Sequence, residues 1–114
     1  MRSVTPEWLN ERGDLHDAHV VDMRIVGSVL QIALDDEWAS LRGLGQSEAG
    51  EAPGILILED FSVTRGEPMA VDGGWISEVT LRGDQVDLVF CDRAPLGVRI
   101  CAAWWRSAPQ LQKI

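Results

Sequence analysis

The segment that decides the fold is residues 76–90, which reads ISEVTLRGDQVDLVF. If Gly83 and Asp84 form a two-residue turn, the flanking residues pair in register across a hairpin: Leu81 with Val86, Val79 with Leu88, and Ser77 with Phe90. Because strand side chains alternate between faces, one face is then apolar: Val79, Leu81, Val86, Leu88 and Phe90. The opposite face is polar apart from Ile76 and Val89. This pattern predicts an antiparallel hairpin with one buried face.

The hairpin continues into a further strand, so we expect residues 74–105 to form a three-strand meander. A loop centred on Leu96 contains Pro95 and Gly97, which suit a loop because proline cannot donate to a ladder and glycine tolerates positive φ. The last strand, Val98 to Trp105, then pairs as follows: Leu88 with Trp104, Phe90 with Ala102, and Cys91 with Cys101. In this register Trp104 lies in the core and Trp105 lies on the other face.

Two further elements precede the meander. Thr5 as N-cap, Pro6 at the first helical position and Gly13 as a stop signal predict a short helix over residues 6–12. Residues 18–35 predict a second hairpin, with Gly27-Ser28 as its turn. Its expected pairs are Ile25 with Leu30, Met23 with Ile32, and Val21 with Leu34.

The middle of the chain contains a polar stretch and an apolar one. Residues 39–54 are rich in Gly, Ser, Ala and Glu, and we expect a mobile loop that is either disordered or functional. Residues 55–64 begin with a continuous apolar run, which predicts a strand that is either buried on both faces or bulged, since Glu59-Asp60 breaks the alternation. We therefore expect one domain over residues 1–114. Its fold class is mostly β: a single antiparallel, strongly twisted sheet of about six strands, half-barrel in shape, with the short N-terminal helix against it. A two-sheet sandwich is the main alternative.

The charge balance limits the possible partners. The chain has 18 acidic and 10 basic residues, which gives a net charge of −8. Such a surface repels phosphate backbones, so we expect no nucleic-acid partner. Acidic composition serves either solubility or attraction to a basic protein. The sequence has no apolar run of about 18 residues and no secretory signal pattern, so we expect a cytoplasmic protein with no membrane partner.

The candidate metal ligands are His16, Asp17 and His19, since imidazole and carboxylate at close spacing bind divalent ions. The two histidines converge only if the chain turns between them, because residues three apart on a strand point to opposite faces. The alternative interpretation is that Asp17 caps a turn and His16 packs beside a tryptophan.

Other chemistry has little support in the sequence. No phosphate-binding loop, nucleophile elbow or zincin motif is present, so we assign no catalytic residue and expect no cofactor. The expected register brings Cys91 opposite Cys101, which makes a disulfide geometrically possible. In a reducing compartment the two cysteines would stay free thiols.

The candidate binding surface contains Ile76, Trp105 and Trp38. In the expected register Trp105 lies on the far face of the sheet, near Ile76, and an apolar patch there would be a contact surface for a protein or a ligand. The alternative is that the N-terminal helix and the long loop cover this patch. The chain has five tryptophans in all.

The order of Trp8, then Leu15-His16-Asp17-Ala18, then a hairpin with a Gly turn resembles small uncharacterised bacterial β-rich proteins that carry a Leu-His-Asp-Ala segment before the first strand. Some small proteins of similar size and charge act as immunity proteins that neutralise toxins. The resemblance implies an interaction role and assigns no catalytic residues.

Three functions follow as hypotheses. The first is a non-enzymatic protein-binding module, immunity-like or otherwise, that uses its acidic surface and an exposed tryptophan patch. The second is a small-ligand binder, which requires an apolar cavity of at least roughly 300 Å³. The third is a metal-dependent enzyme that uses His16, Asp17 and His19. A homodimer formed through an unpaired sheet edge is compatible with each of them.

Overall fold

The computed structural model describes residues 1–35, 54–68 and 74–107. These residues form one α-helix, α1 (Pro6–Glu11), one 3-10 turn (Gly13–Leu15) and nine β-strands. The strands are β1 (Arg2–Ser3), β2 (His19–Val26), β3 (Val29–Asp35), β4 (Gly54–Glu59), β5 (Ser62–Arg65), β6 (Ile76–Arg82), β7 (Gln85–Phe90), β8 (Leu96–Arg99) and β9 (Ala102–Ser107). Residues 39–53 of the predicted loop lie outside the described residues.

The strands form two antiparallel sheets. The five-stranded sheet has the order β1-β9-β4-β3-β2, and the four-stranded sheet has the order β5-β8-β7-β6. The prediction of a mostly β, antiparallel fold is confirmed, whereas the prediction of a single six-stranded sheet is wrong. Within the described ranges, no helix has the length and apolar character that crossing a bilayer would need.

The chain passes between the two sheets at two corners. Only Asp60 and Phe61 separate β4 from β5, and only Ile100 and Cys101 separate β8 from β9. Asp60 has a left-handed φ of 50°, which turns the backbone out of one sheet and into the other. The strand predicted over residues 55–64 is therefore two strands in two sheets, because a sharp corner interrupts it.

The hairpin of β6 and β7 has the predicted turn and the predicted pairs near that turn. Leu81 pairs with Val86 and Val79 with Leu88. The register then shifts between Ile76 and Glu78, so Ile76, not Ser77, faces Phe90. This bulge inserts one extra residue and turns the Ile76 side chain into the core.

Strand β8 pairs with β7 through a loop over residues 91–95, which lies earlier in the chain than the expected loop centred on Leu96. Leu96 faces Leu88, and Val98 faces Val86. The predicted pairs of Leu88 with Trp104, Phe90 with Ala102 and Cys91 with Cys101 are therefore wrong. The chain then turns the corner, and β9 pairs with β1 and β4 instead.

The hairpin of β2 and β3 also has its predicted turn. Ile25 pairs with Leu30 and Met23 with Ile32, as expected. A register shift between Val20 and Asp22 places Val20 opposite Leu34, so the predicted pair of Val21 with Leu34 is wrong. Bulges of this kind reverse the face that a side chain occupies.

Side chains from both sheets and from α1 build the main core. The Thr5 hydroxyl accepts a hydrogen bond of 3.0 Å from the Trp8 backbone N–H, which caps the predicted helix. Trp8 packs on Trp105, with ring centroids 5.4 Å apart. The largest fully buried side chains of this core include Trp105, Leu9, Leu30, Ile32, Leu56, Leu58, Ile76, Leu88 and Leu96. Burial of each is worth about 1.5 to 3 kcal/mol before conformational entropy is subtracted.

Candidate functional site

Three exposed apolar side chains lie on β2 and β5. Among the described residues, the large hydrophobic side chains that are exposed are Met1, Ile25, Val26 and Val63. Ile25 and Val26 are 43% and 51% exposed and precede the turn of the β2–β3 hairpin, and Val63 on β5 is 43% exposed. We call Ile25, Val26 and Val63 the tip patch.

A backbone hydrogen bond joins the two parts of the tip patch. The Phe61 N–H donates to the Ser28 carbonyl oxygen at 3.1 Å, which fixes the start of β5 beside the hairpin turn. Val63 is two residues further along, about 7 Å of extended chain. Phe61 itself is half-buried and packs against the main core. The tip patch is therefore anchored to the core at its centre.

Ile25 is exposed because the opposite sheet does not extend over it. It lies on the core side of β2, opposite the fully buried Leu30. The backbone joins β2 to the four-stranded sheet at the start of β2, where the Val20 N–H donates to the Gly74 carbonyl oxygen at 2.8 Å. Ile25 lies about 16 Å further along the strand. Sequence alternation assigns Ile25 to the core face but gives no signal for where the covering sheet ends.

Two of the three residues of the predicted binding surface are buried in the structure. Ile76 is 0% exposed and Trp105 is 1% exposed, so neither can contact a partner. The bulge in β6 turns Ile76 inward, and the pairing of β9 with β4 turns Trp105 inward against Trp8. Trp38, the third predicted residue, lies outside the described residues.

Trp104, not Trp105, occupies the outer face of the five-stranded sheet. It packs with a second apolar group, the outer cluster, whose members are Ala33, Ile55, Ile57 and the partly buried Val21, Val29 and Trp104. Ala33, Ile55 and Ile57 are only 0%, 3% and 9% exposed. Ala33, Ile55 and Ile57 therefore offer little accessible area for a further contact, whereas Val21, Val29 and Trp104 are partly exposed.

His16 and His19 make separate contacts. The Nδ1 of His16 lies 2.9 Å from the Ser77 carbonyl oxygen, and its Nε2 lies 3.1 Å from Oδ2 of Asp17. Asp17 has a left-handed φ of 67°, so the chain turns sharply before β2 begins. Both nitrogens of His16 thus face oxygen atoms at the edge of β6.

His19 points toward a different group of residues. Its Nδ1 lies 3.7 Å from Oδ2 of Asp35, and its ring centroid lies 4.7 Å from that of Trp75. Across residues 1–35, 54–68 and 74–107, no three His, Cys, Asp or Glu side chains form a group that could hold a metal ion. The structure does not bring His16 and His19 to one site, because the turn directs the two imidazoles to separate partners, and the metal site at His16, Asp17 and His19 stays a prediction.

A small cleft lies where β1 meets the turn of the β6–β7 hairpin. Its volume is about 260 Å³, below the roughly 300 Å³ typical of ligand pockets. Val4, Leu81 and Ile100 line it, together with Ser3, Asp84 and Cys101. Cys101 and Cys91 are exposed free thiols. The cleft beside β1 is therefore smaller and more polar than the apolar cavity of at least roughly 300 Å³ that the small-ligand hypothesis requires.

No protein-family model, curated protein or solved structure matches this chain.

Proposed function

We propose that this protein is a non-enzymatic protein-binding module and that the tip patch is its contact surface. The observation that carries the proposal is the exposure of Ile25 and Val26 before the turn of the β2–β3 hairpin and of Val63 on β5, whose start is hydrogen-bonded to that turn. Ile25 and Val26 lie on the two faces of β2, and exposed apolar side chains on a small protein mark interaction sites. Strand ends and turns that a rigid scaffold holds in place are common locations for such sites.

The rigidity of the tip patch supports this function. Valine and isoleucine are branched at Cβ and have few side-chain rotamers. The hydrogen bond between Phe61 and Ser28 holds the two strands of the patch together. A partner would therefore bury this surface at a small entropic cost, which favours affinity.

The net charge of −8 favours a basic protein as the partner. Opposite charges on two proteins accelerate their encounter and select against wrong partners. The same charge disfavours nucleic acids and anionic lipid surfaces. The immunity-like role that the Leu15–Ala18 resemblance implies is one form of this function, in which the basic partner is a toxin.

The test is site-specific photo-crosslinking in cells of the protein's own source. A photoreactive amino acid replaces Val26 or Val63 in the tip patch, and Glu78 or Arg82, exposed on β6, in matched controls. We expect one partner protein to be cross-linked from both tip positions and from neither control position. The absence of an adduct from the tip positions, or equal adducts from all four, would contradict the proposal.

The identified partner is then purified and titrated against variants. Val26→Asp places a charge in the apolar contact and is expected to weaken binding by about 100-fold, equivalent to about 2.7 kcal/mol. Glu78→Lys is the control, and its effect is expected to stay below about threefold. Equal losses from the two variants would contradict the assignment of the contact surface to the tip patch.

A further inference from the structure

Strand β5 has a free edge beside the tip patch. It pairs with β8 on one side, where Ser62 faces Arg99, Val63 faces Val98 and, after a register shift, Arg65 faces Gly97. It is the first strand in the order of the four-stranded sheet, and no described strand lies on its other side. All four of its residues are exposed. Such an edge presents N–H and C=O groups that can pair with another extended chain.

The edge is held in a fixed conformation at both ends. The hydrogen bond from Phe61 to Ser28 fixes its start. Gly66, just beyond its end, has a φ of +81°, and a Cβ there would lie 2.4 Å from the Pro95 carbonyl oxygen. In the middle, the Thr64 hydroxyl accepts a hydrogen bond of 2.8 Å from the Gln85 side-chain amide. A partner strand would meet an edge that is already formed, which lowers the entropic cost of pairing.

The charges around this edge favour a basic occupant. The exposed Asp60 precedes β5, and the exposed Glu67 follows it. The one basic residue of the strand, Arg65, lies 3.6 Å from Oδ1 of Asp87, so a carboxylate offsets its charge. A second copy of this chain would bring a further net charge of −8 to the edge, which disfavours self-pairing.

We infer that the free edge of β5 binds an extended basic segment of the partner as an added strand of the four-stranded sheet. The inference rests on the proposed function, because the same partner covers the tip patch. Backbone hydrogen bonds along β5 supply affinity, and alternate side chains of the segment supply specificity. Its apolar residues lie beside Val63, and its basic residues lie beside Asp60 and Glu67.

The test uses a six-residue probe peptide of alternating lysine and valine with blocked ends. Hydrogen exchange followed by NMR reports the protection of each backbone amide of the full chain. We expect the probe to slow exchange by at least about tenfold at amides of residues 62–65 and to leave β6 unchanged. No protection on β5 at saturating probe, or protection at another edge instead, would overturn the inference.

Methylated probes separate strand pairing from attraction by charge. In one version of the peptide the backbone nitrogens of the lysine residues are methylated. In the other version the backbone nitrogens of the valine residues are methylated. A strand pairs through one of its two edges, so we expect one version to lose at least about tenfold in affinity and the other to bind as before. Equal affinity of the two methylated versions would overturn the inference.

Charge variants give an independent readout. The double variant Asp60→Asn/Glu67→Gln is expected to weaken probe binding by about tenfold, whereas the control Asp14→Asn/Glu78→Gln, with the same loss of charge, is expected to keep it within about twofold. Equal weakening would contradict a local site on β5. If cross-links form at Val26 and Val63 but no probe protects β5, the proposed function stands and this inference fails.

Discussion

The tip patch and the outer cluster are both apolar, yet only one of them is exposed. Ile55 in the outer cluster is 3% exposed, whereas Val26 in the tip patch is 51% exposed. Both residues occupy strands of the same five-stranded sheet. The difference teaches that apolar composition does not identify a contact surface, because burial depends on what each side chain meets in three dimensions.

The outer face of the four-stranded sheet provides a third, polar environment. There the Gln85 side-chain amide donates to the Thr64 hydroxyl at 2.8 Å and to Oδ1 of Asp87 at 3.3 Å. These side chains converge above Gly97, where a Cβ would lie 2.8 Å from Oδ1 of Asp87. This face has satisfied polar groups and supplies the control positions for tests of the tip patch.

The largest effect is expected from the outer cluster. Ile55→Ala removes buried methyl and methylene groups and leaves a cavity, so it should lower the free energy of unfolding by about 3 kcal/mol. Urea denaturation followed by tryptophan fluorescence measures this value. A loss below about 1 kcal/mol would mean that Ile55 is accessible in solution, and the contrast with the tip patch would disappear.

A matched pair of turns gives an effect of intermediate size. Gly27 and Gly83 both have a φ of 61°, and a Cβ at either position would meet no atom within 4 Å. Gly27→Ala and Gly83→Ala should therefore each cost about 1 kcal/mol of stability from backbone strain alone. Only Gly27→Ala should also weaken partner binding, because only that turn adjoins the tip patch. Equal weakening by both variants in a titration would contradict the assignment of the surface.

The smallest effect on stability is expected in the tip patch itself. Val26→Thr and Val63→Thr keep the branched shape and expose a hydroxyl where solvent already has access. Each should change the free energy of unfolding by no more than about 0.5 kcal/mol in the same urea experiment. A loss above about 1.5 kcal/mol would show that these valines are part of the core.

The sequence predicted local pairing well and long-range pairing poorly. Gly27-Ser28 and Gly83-Asp84 set the register of the adjacent residues, since a two-residue turn leaves little freedom. The bulges near Val21 and Ser77 were not predictable, because an alternating pattern accommodates one extra residue without an obvious signal. Each bulge reversed the face of the residues beyond it, which turned Ile76 inward.

The corners between the sheets account for the remaining errors. The residues at the two corners, Asp60 and Ile100 among them, resemble ordinary strand residues or strand ends in sequence. Because Trp104 and Trp105 are both apolar, they are compatible with the expected register, which buries Trp104, and with the observed register, which buries Trp105. The tip patch was missed for the same reason: its exposure depends on where the four-stranded sheet ends, which is a property of the whole fold.

The central claim is that the tip patch, not the outer cluster, is the contact surface. The most direct test is carbene footprinting of the full chain, alone and with the partner protein that photo-crosslinking identifies. In the free protein we predict strong labelling of Ile25, Val26 and Val63 and weak labelling of Ile55 and Ile57. Addition of the partner should protect the tip patch and leave the labelling of the outer cluster unchanged. Strong labelling of the outer cluster in the free protein, with protection there in the complex, would contradict the account.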